Sequence, residues 1–179
     1  MGCDIYAFLE TSKDGGKTWQ LYREPIMHRY KEYNDKIKKE KWVPTDLVDP
    51  GGYLNVGRDY WLFGIMAGVR TQPDMWGKDP NELNGVERAL LKLNKEEPIR
   101  VGEAKGMPKD ASSEVIKIWG PSKDSGDHSP SWGTLRELQY WLKLHKQRGG
   151  SFYGWGKIRD RMVKLEKKVK TRLVFWFNS

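Results

Sequence analysis

The sequence predicts an α+β fold in which a small antiparallel sheet is covered by several helices. Residues 3–10 and 172–177 both alternate with the two-residue period of a β-strand. A turn at residues 14–16 joins the first of these segments to the β-compatible residues 18–23, so the first 24 residues predict a β-hairpin. Helical patterns fill the chain between the two ends. We therefore expect the C-terminal strand to pair with the N-terminal hairpin.

The helices are predicted from apolar residues at spacings of three and four. Asp59 and Asp110 are the expected N-caps of two of them, and Thr134 with Glu137 has the pattern of a capping box. His145 falls at the end of the helix that this box begins, and we expect it on the surface. The predicted helices span residues 60–69, 86–93, 113–119, 134–146 and 157–170.

Length and composition indicate one domain, residues 1–179, with an irregular insertion at about 71–110 that is rich in glycine and proline. The single cysteine, Cys3, excludes an internal disulfide framework and is expected to point into the core as an inert side chain. No stretch of eighteen apolar residues predicts a membrane span. The net charge of +8 favours polyanionic partners, nucleic acid among them.

The densest functional chemistry lies in residues 124–132, which read DSGDHSPSW. Two carboxylates, one imidazole and three hydroxyls fall within nine residues, and Gly126 and Pro130 favour a tight loop. Because the capping box follows directly, this loop is expected at a helix entrance, where anions bind favourably. The alternative is an ordinary helix lead-in whose polar side chains satisfy backbone donors.

Two further segments combine basic and aromatic residues. Residues 28–42 are expected to form a solvated loop, with a nucleic-acid-contacting arm as the alternative. The helix 157–170 concentrates the basic charge and is expected to present a solvated face, again with nucleic acid as the alternative partner. Trp155 lies in a glycine-rich aromatic loop that is expected to be exposed. Its ring either stacks a base or docks two helices against each other.

Four blocks of the chain resemble a family of small, largely uncharacterised bacteriophage proteins that open with Met-Gly-Cys-Asp-Ile-His. The blocks are MGCDIY at the start, DYWLFGIMAGVR at 59–70, DSGDHSPSW at 124–132 and RLVFWFN at 172–178. This chain differs from the family pattern at Tyr6, where the usual residue is His, so a role that needs an imidazole there is not expected. The resemblance implies a phage accessory protein that acts in the host cytoplasm against a host defence.

The first functional hypothesis is a binding protein for a nucleotide or another phosphate-bearing ligand at residues 124–132. Backbone donors and serine hydroxyls would hold the phosphate, basic side chains would neutralise it, and a tryptophan would stack the base. Asp124 and Asp127 would repel a phosphate unless they are paired with an arginine or hold a cation. The predicted ligand-binding residues are Asp124, Ser129, Ser131, Trp132, Trp155 and Arg159.

The second hypothesis is a hydrolase for phosphodiester or glycosidic bonds, with Asp127 and His128 as its catalytic residues. Asp4, Asp124 and Asp127 are the candidate ligands of a divalent metal, and oxygen ligands favour Mg²⁺ or Mn²⁺. A third hypothesis is an inhibitor that binds a host protein. A membrane partner is not expected in any of the three.

Overall fold

A computed structural model of the chain describes residues 3–34, 39–69, 102–122, 126–147 and 154–178. These residues form an α+β fold, as the sequence predicts. Their elements in chain order are β1 (Asp4–Ser12), β2 (Gln20–Leu21), β3 (Met27–Asn34), β4 (Lys39–Asp46), α1 (Tyr60–Ala67), α2 (Ser113–Ser122), β5 (Asp127–Thr134), α3 (Leu135–Gln147), α4 (Trp155–Leu165) and β6 (Lys170–Asn178).

The main sheet has the strand order β2-β1-β6-β5, and every neighbouring pair is antiparallel. The strands at the two ends of the chain pair along their whole length, from Asp4 opposite Asn178 to Ser12 opposite Lys170. The predicted pairing of the N-terminal hairpin with the C-terminal strand is therefore confirmed. Neither strand is able to bury its apolar residues alone, and the pairing gives both a shared surface for the helices to cover.

The turn between β1 and β2 is fixed by one carboxylate. Asp14 accepts hydrogen bonds from the hydroxyls of Ser12 and Thr18, each at 2.6 Å, and from the backbone N–H groups of Lys17 and Thr18. The hydroxyl of Ser12, followed by the other donors, holds the pKa of Asp14 far below its usual range. Gly15 adopts a φ of 78°, which a residue with a side chain rarely does. Hydrogen bonds within the turn thus fix the geometry of the β1–β2 hairpin.

Helices cover both faces of this sheet. Helices α1, α3 and α4 lie on one face, over the main core, and α2 covers the other face, over a smaller second core. The alternation of β6 divides its side chains between the two. Leu173, Phe175 and Phe177 enter the main core, while Val174 and Trp176 enter the second. This arrangement buries β6 on both sides, which explains its near-continuous run of apolar residues.

Two of the predicted helix starts are confirmed and one is wrong. Asp59 accepts the Leu62 N–H at 3.0 Å and begins α1, and Thr134 forms the capping box with Glu137. The expected cap at Asp110 is not formed. Ser112 accepts the N–H of the third helical residue of α2 instead. The Asp110 carboxylate is unavailable because it is bonded to the buried guanidinium of Arg172.

Three further expectations are corrected. Residues 28–34 and 39–42 are not a loop, since β3 and β4 form a separate two-stranded antiparallel sheet with Lys31 opposite Trp42. Helix α4 ends at Leu165 instead of residue 170, because Lys170 already belongs to β6. His145 is 1% exposed, and its Nε2 atom lies 2.9 Å from a carboxylate oxygen of Asp59. That contact ties the end of α3 to the start of α1.

The predicted helix at residues 86–93, most of the insertion at 71–110 and Asp124 lie outside the described residues. Within the described ranges, no helix has both the length and the apolar character that crossing a bilayer requires.

Candidate functional site

Residues 127–132, which were predicted to lie in a loop, belong to an edge strand of the main sheet. Residues Asp127–Thr134 form β5 and pair with β6 from Asp127 opposite Asn178 to Thr134 opposite Arg172. The pairing is interrupted between His128 and Ser131 by a β-bulge. Turn-forming residues enter a strand here because β6 offers its backbone donors and acceptors along one side. The bulge then absorbs the residues that do not fit the ladder.

The bulge contains an unusual backbone conformation at Ser129, whose φ is 51°. A left-handed conformation is uncommon for a serine, and the following Pro130 restricts its backbone further. The Ser129 hydroxyl lies 3.0 Å from Nδ1 of His128. This strained turn re-aims the start of β5 relative to the rest of the strand.

The part of β5 that follows the bulge, residues 131–134, has a structural role. Lys105 donates its backbone N–H to the buried Ser131 hydroxyl at 3.0 Å, and its Nζ atom donates to Glu137 at 2.7 Å. The same Nζ atom lies 3.7 Å from the centre of the Trp132 ring. Ser131 and one face of Trp132 are therefore already occupied. The neighbouring Gly106 donates its N–H to the backbone oxygen of Pro130 at 2.9 Å, which satisfies one backbone group on the outer edge of the sheet.

The structure directs Asp127 and His128 to opposite faces of the sheet. Asp127 is level with Asn178 and bonds to side chains on the face that α2 covers. His128 is level with Phe177, and its ring stacks on that phenylalanine at a centroid distance of 6.2 Å, towards the main core. Neighbouring residues of a strand alternate in this way. The two side chains are thus not arranged as an acid and a base around one reacting atom.

A row of polar side chains crosses the end of the sheet on the α2 side. Arg58 binds Asp4 through two hydrogen bonds, at 2.5 and 3.0 Å, and Asp4 is level with Asn178 in the ladder. Asn178 in turn donates to Asp127 at 2.5 Å. We call these four residues the sheet-end row. It is accessible at one end, where the side chains of Arg58 and Asp4 are 56% and 54% exposed.

The ion pair in this row changes the ionisation of its members. The hydrogen bond from Arg58 holds the pKa of Asp4 below its usual value, although partial burial acts in the opposite direction. Asp4 correspondingly raises the pKa of Arg58. Both groups are therefore charged together over a wide range of pH. A guanidinium has five N–H donors, of which Asp4 receives two and the Tyr60 hydroxyl interacts with another. Arg58 thus retains donors for a ligand.

Aromatic side chains lie one position inward from the sheet-end row. Tyr6 is level with Trp176, and its ring lies 5.7 Å from that of Tyr53 and 5.9 Å from that of Trp176. The Trp176 Nε1–H donates to Asp127 at 2.7 Å. Burial, together with Tyr6 and the neighbouring carboxylates of Asp49 and Asp127, raises the pKa of Tyr53. Tyr6 and Tyr53 are only half-buried, so they form an aromatic wall beside the polar row.

Two other predicted ligand-binding residues are not part of this region. Trp155 is not exposed as expected, because it is completely buried in the main core at the start of α4. Arg159 lies on α4, where its guanidinium bonds to the adjacent Asp160. Stacking of a base on Trp155 would require the core to open. Its glycine-rich surroundings suggested a loop, but the residue instead begins an amphipathic helix.

The predicted metal ligands are engaged in other interactions. Asp4 binds Arg58, and the two oxygens of Asp127 accept from Trp176 and Asn178. The two carboxylates flank Asn178 from opposite sides, at about 10 Å for two strand spacings. No group of three potential metal-binding side chains occurs in the part of the chain that the structure describes. The third predicted ligand, Asp124, lies outside that part.

Sequence reasoning missed Arg58, Asn178 and Tyr53. Arg58 stands 54 residues from the carboxylate it binds, and no local pattern distinguishes it from the other surface arginines. Asn178 ends the block 172–178, whose pattern is dominated by aromatic residues. Arg58 and Tyr53 lie outside all four blocks of the resemblance, so only Asn178 carried any signal in the sequence. Comparison of the chain with protein-family models, with curated proteins and with solved structures finds no match.

Proposed function

We propose that the sheet-end row and its aromatic wall bind a nucleotide. The observation that carries the proposal is the ladder register, which brings Asp4, Asn178 and Asp127 level with one another, beside the exposed guanidinium of Arg58. Separate parts of the chain supply these side chains, and half-buried tyrosines lie next to them. An arginine beside aromatic rings offers the two interactions that a nucleotide needs.

Each group has a distinct role in the proposed complex. Arg58 donates to the phosphate with the N–H groups that Asp4 does not use. The base packs against the half-buried rings of Tyr6 and Tyr53. The Asp127 carboxylate, held in place by Trp176 and Asn178, accepts a hydrogen bond from a sugar hydroxyl. In this arrangement the phosphate lies at the Arg58 end of the row, so the repulsion expected between Asp127 and a phosphate is avoided.

Binding has more support here than hydrolysis. A hydrolytic step by Asp127 and His128 would require both side chains to reach one substrate, and they point to opposite faces of β5. In the phage setting that the resemblance implies, binding would remove a signalling nucleotide from a host defence. That biological role rests on the resemblance and not on the sheet-end row.

The test is titration of the protein with AMP, GMP, CMP and UMP, followed by two-dimensional amide NMR. We expect at least one nucleotide to shift amide signals of residues 4–6, 53–58 and 127 with saturation, and Arg58→Ala to weaken its binding at least tenfold. The matching nucleoside, which lacks the phosphate, should bind wild type and Arg58→Ala equally.

Arg23→Ala is the matched control. Arg23 also forms an exposed ion pair, with Glu114 at 2.9 Å, but it does so away from the sheet-end row. Its replacement should leave nucleotide binding unchanged. The proposal is refuted if none of the four nucleotides binds wild type with a Kd below about 1 mM. It is also refuted if Arg23→Ala weakens binding as much as Arg58→Ala does.

A further inference from the structure

The largest concentration of positive charge lies on α4 and the turn that follows it. Residues 155–170 contain seven basic and two acidic side chains, which accounts for more than half of the net charge of +8. Lys157, Arg161 and Lys164 are spaced by four and three residues, so they lie on one side of α4. Lys157 and Lys164 are exposed, and neither forms an ion pair with another described residue.

The β3–β4 hairpin presents a second exposed surface. Its outward face carries Met27 and Trp42, which are 56% and 58% exposed, together with Arg29, Lys31 and Pro44. Met27 and Trp42 are the two most exposed large apolar side chains among the described residues. Lys31 bonds to Glu40 at 2.6 Å and lies 5.6 Å from the centre of the Trp42 ring. The face therefore combines cations with apolar contact area.

The two surfaces adjoin. Arg161 on α4 donates to the backbone oxygen of Pro25 at 2.8 Å, two residues before β3 begins. At the same end of the hairpin, one residue after β4, Leu47 lies next to Gly154, where a Cβ atom added by substitution would meet Leu47 side-chain atoms at 2.8 and 2.9 Å. The base of the hairpin thus packs directly on the first turns of α4. We call Arg29, Lys31, Lys157, Arg161 and Lys164 the basic face.

We propose that the basic face binds duplex DNA, with the β3–β4 hairpin in the major groove and α4 along the phosphate backbone. The ligand is identified by charge complementarity and by shape. An antiparallel ribbon with eight residues in each strand is about 27 Å long. The major groove, about 12 Å wide, accepts such a two-stranded ribbon. Lysines at the base of the ribbon are then placed to contact phosphates beside the groove.

The binding surface lies apart from the proposed nucleotide site. Helix α4 covers the main-core face of the sheet, whereas the sheet-end row lies on the α2 face. Duplex binding accordingly neither requires nor excludes the nucleotide site, and the two proposals are tested with different variants.

The experiment measures fluorescence anisotropy of a labelled duplex of about 20 base pairs, roughly two helical turns. A single strand of the same sequence and anionic phosphatidylserine vesicles are measured in parallel. For four phosphate contacts, the affinity for duplex should fall about 100-fold between 50 and 200 mM salt. Lys157→Glu/Lys164→Glu should weaken binding at least tenfold and flatten the salt dependence by about two contacts.

A second pair of substitutions tests the hairpin, and a third is the control. Arg29→Glu/Lys31→Glu should also weaken duplex binding at least tenfold. Lys109→Glu/Lys117→Glu changes the net charge by the same amount on the α2 side of the sheet, where both lysines are exposed, and should leave binding within about twofold of wild type.

Three results would overturn the proposal. They are absence of duplex binding at 50 mM salt, binding of the single strand or the vesicles more tightly than the duplex, and an equal loss of affinity in the control variant. Thermal melts establish that each variant is folded before its affinity is compared with that of wild type.

Discussion

Substitution of Arg172 by methionine should strongly destabilise the protein. Arg172 and Glu10 have side chains that are 5% and 0% exposed, and they bond at 2.7 Å between neighbouring strands. Arg172 also bonds to Asp110 at 2.7 Å and lies over the Trp19 ring. Arg172→Met removes the cation and leaves the Glu10 charge buried. Loss of one partner of a buried ion pair costs about 3–5 kcal/mol. This is a large part of the stability of a domain this size.

A second substitution distinguishes this reasoning from simple loss of contacts. Glu10 also accepts the buried Ser112 N–H at 2.7 Å. Glu10→Gln retains an oxygen for that hydrogen bond while removing the charge. Arg172→Met/Glu10→Gln should therefore be more stable than Arg172→Met alone, although it contains one more substitution. The free energy of unfolding is measured by urea denaturation at pH 7, with circular dichroism as the signal.

The exposed pair between Arg23 and Glu114 supplies the control. Their side chains are 47% and 48% exposed, so Arg23→Met should change the free energy of unfolding by no more than about 1 kcal/mol. The reasoning fails if Arg172→Met is no more destabilising than Arg23→Met. It also fails if Glu10→Gln further destabilises Arg172→Met, because the unpaired buried charge would then not be the source of the loss.

Two further predictions concern acid stability and packing. Burial acts to raise the pKa of Asp110, but bonds from a buried guanidinium and from the Trp19 indole outweigh it, so the folded-state pKa is lowered. The resulting stability is present above pH about 4 and is lost as pH falls further. In Asp110→Asn, the urea midpoint should therefore fall less between pH 4 and pH 2 than it does in wild type. Gly133→Ala places a methyl group against the Trp141 ring and should cost about 1–3 kcal/mol by urea denaturation. The first argument fails if the midpoint of Asp110→Asn falls between pH 4 and pH 2 as steeply as that of wild type, and the second fails if Gly133→Ala has the wild-type midpoint.

The parts of the fold that the sequence predicted are those fixed by local pattern. The alternation in β1 and β6 is visible in a few residues, and so is the need of each strand for a partner. Asp59 and the capping box of Thr134 and Glu137 act within a single helical turn, so their roles were readable from spacing alone. In these places, short-range chemistry and the final structure agree.

The errors arose where distant residues decide the outcome. The composition of β5 is that of a turn, and only the free side of β6 makes it a strand. His145 is buried because it meets Asp59, which is 86 residues away in the chain. Trp155 has glycine neighbours but is enclosed by the core under α4. No periodicity within a window of ten residues reports on such contacts. The bond from Arg58 to Asp4, on which the proposed site depends, was invisible for the same reason, since it spans 54 residues.

The buried ion pair and the proposed nucleotide site lie at opposite ends of the central strands. Arg172 and Asn178 are six residues apart on β6, which is about 20 Å. The buried pair of Glu10 with Arg172 lies at one end of the sheet, and the sheet-end row lies at the other. Because Arg58 and Asp4 are largely exposed, Arg58→Ala should lose little stability. Arg172→Met should do the reverse, lowering the folded fraction while its folded molecules retain nucleotide affinity. A variant of Arg172 that loses that affinity while fully folded would show that the two ends of the sheet are coupled.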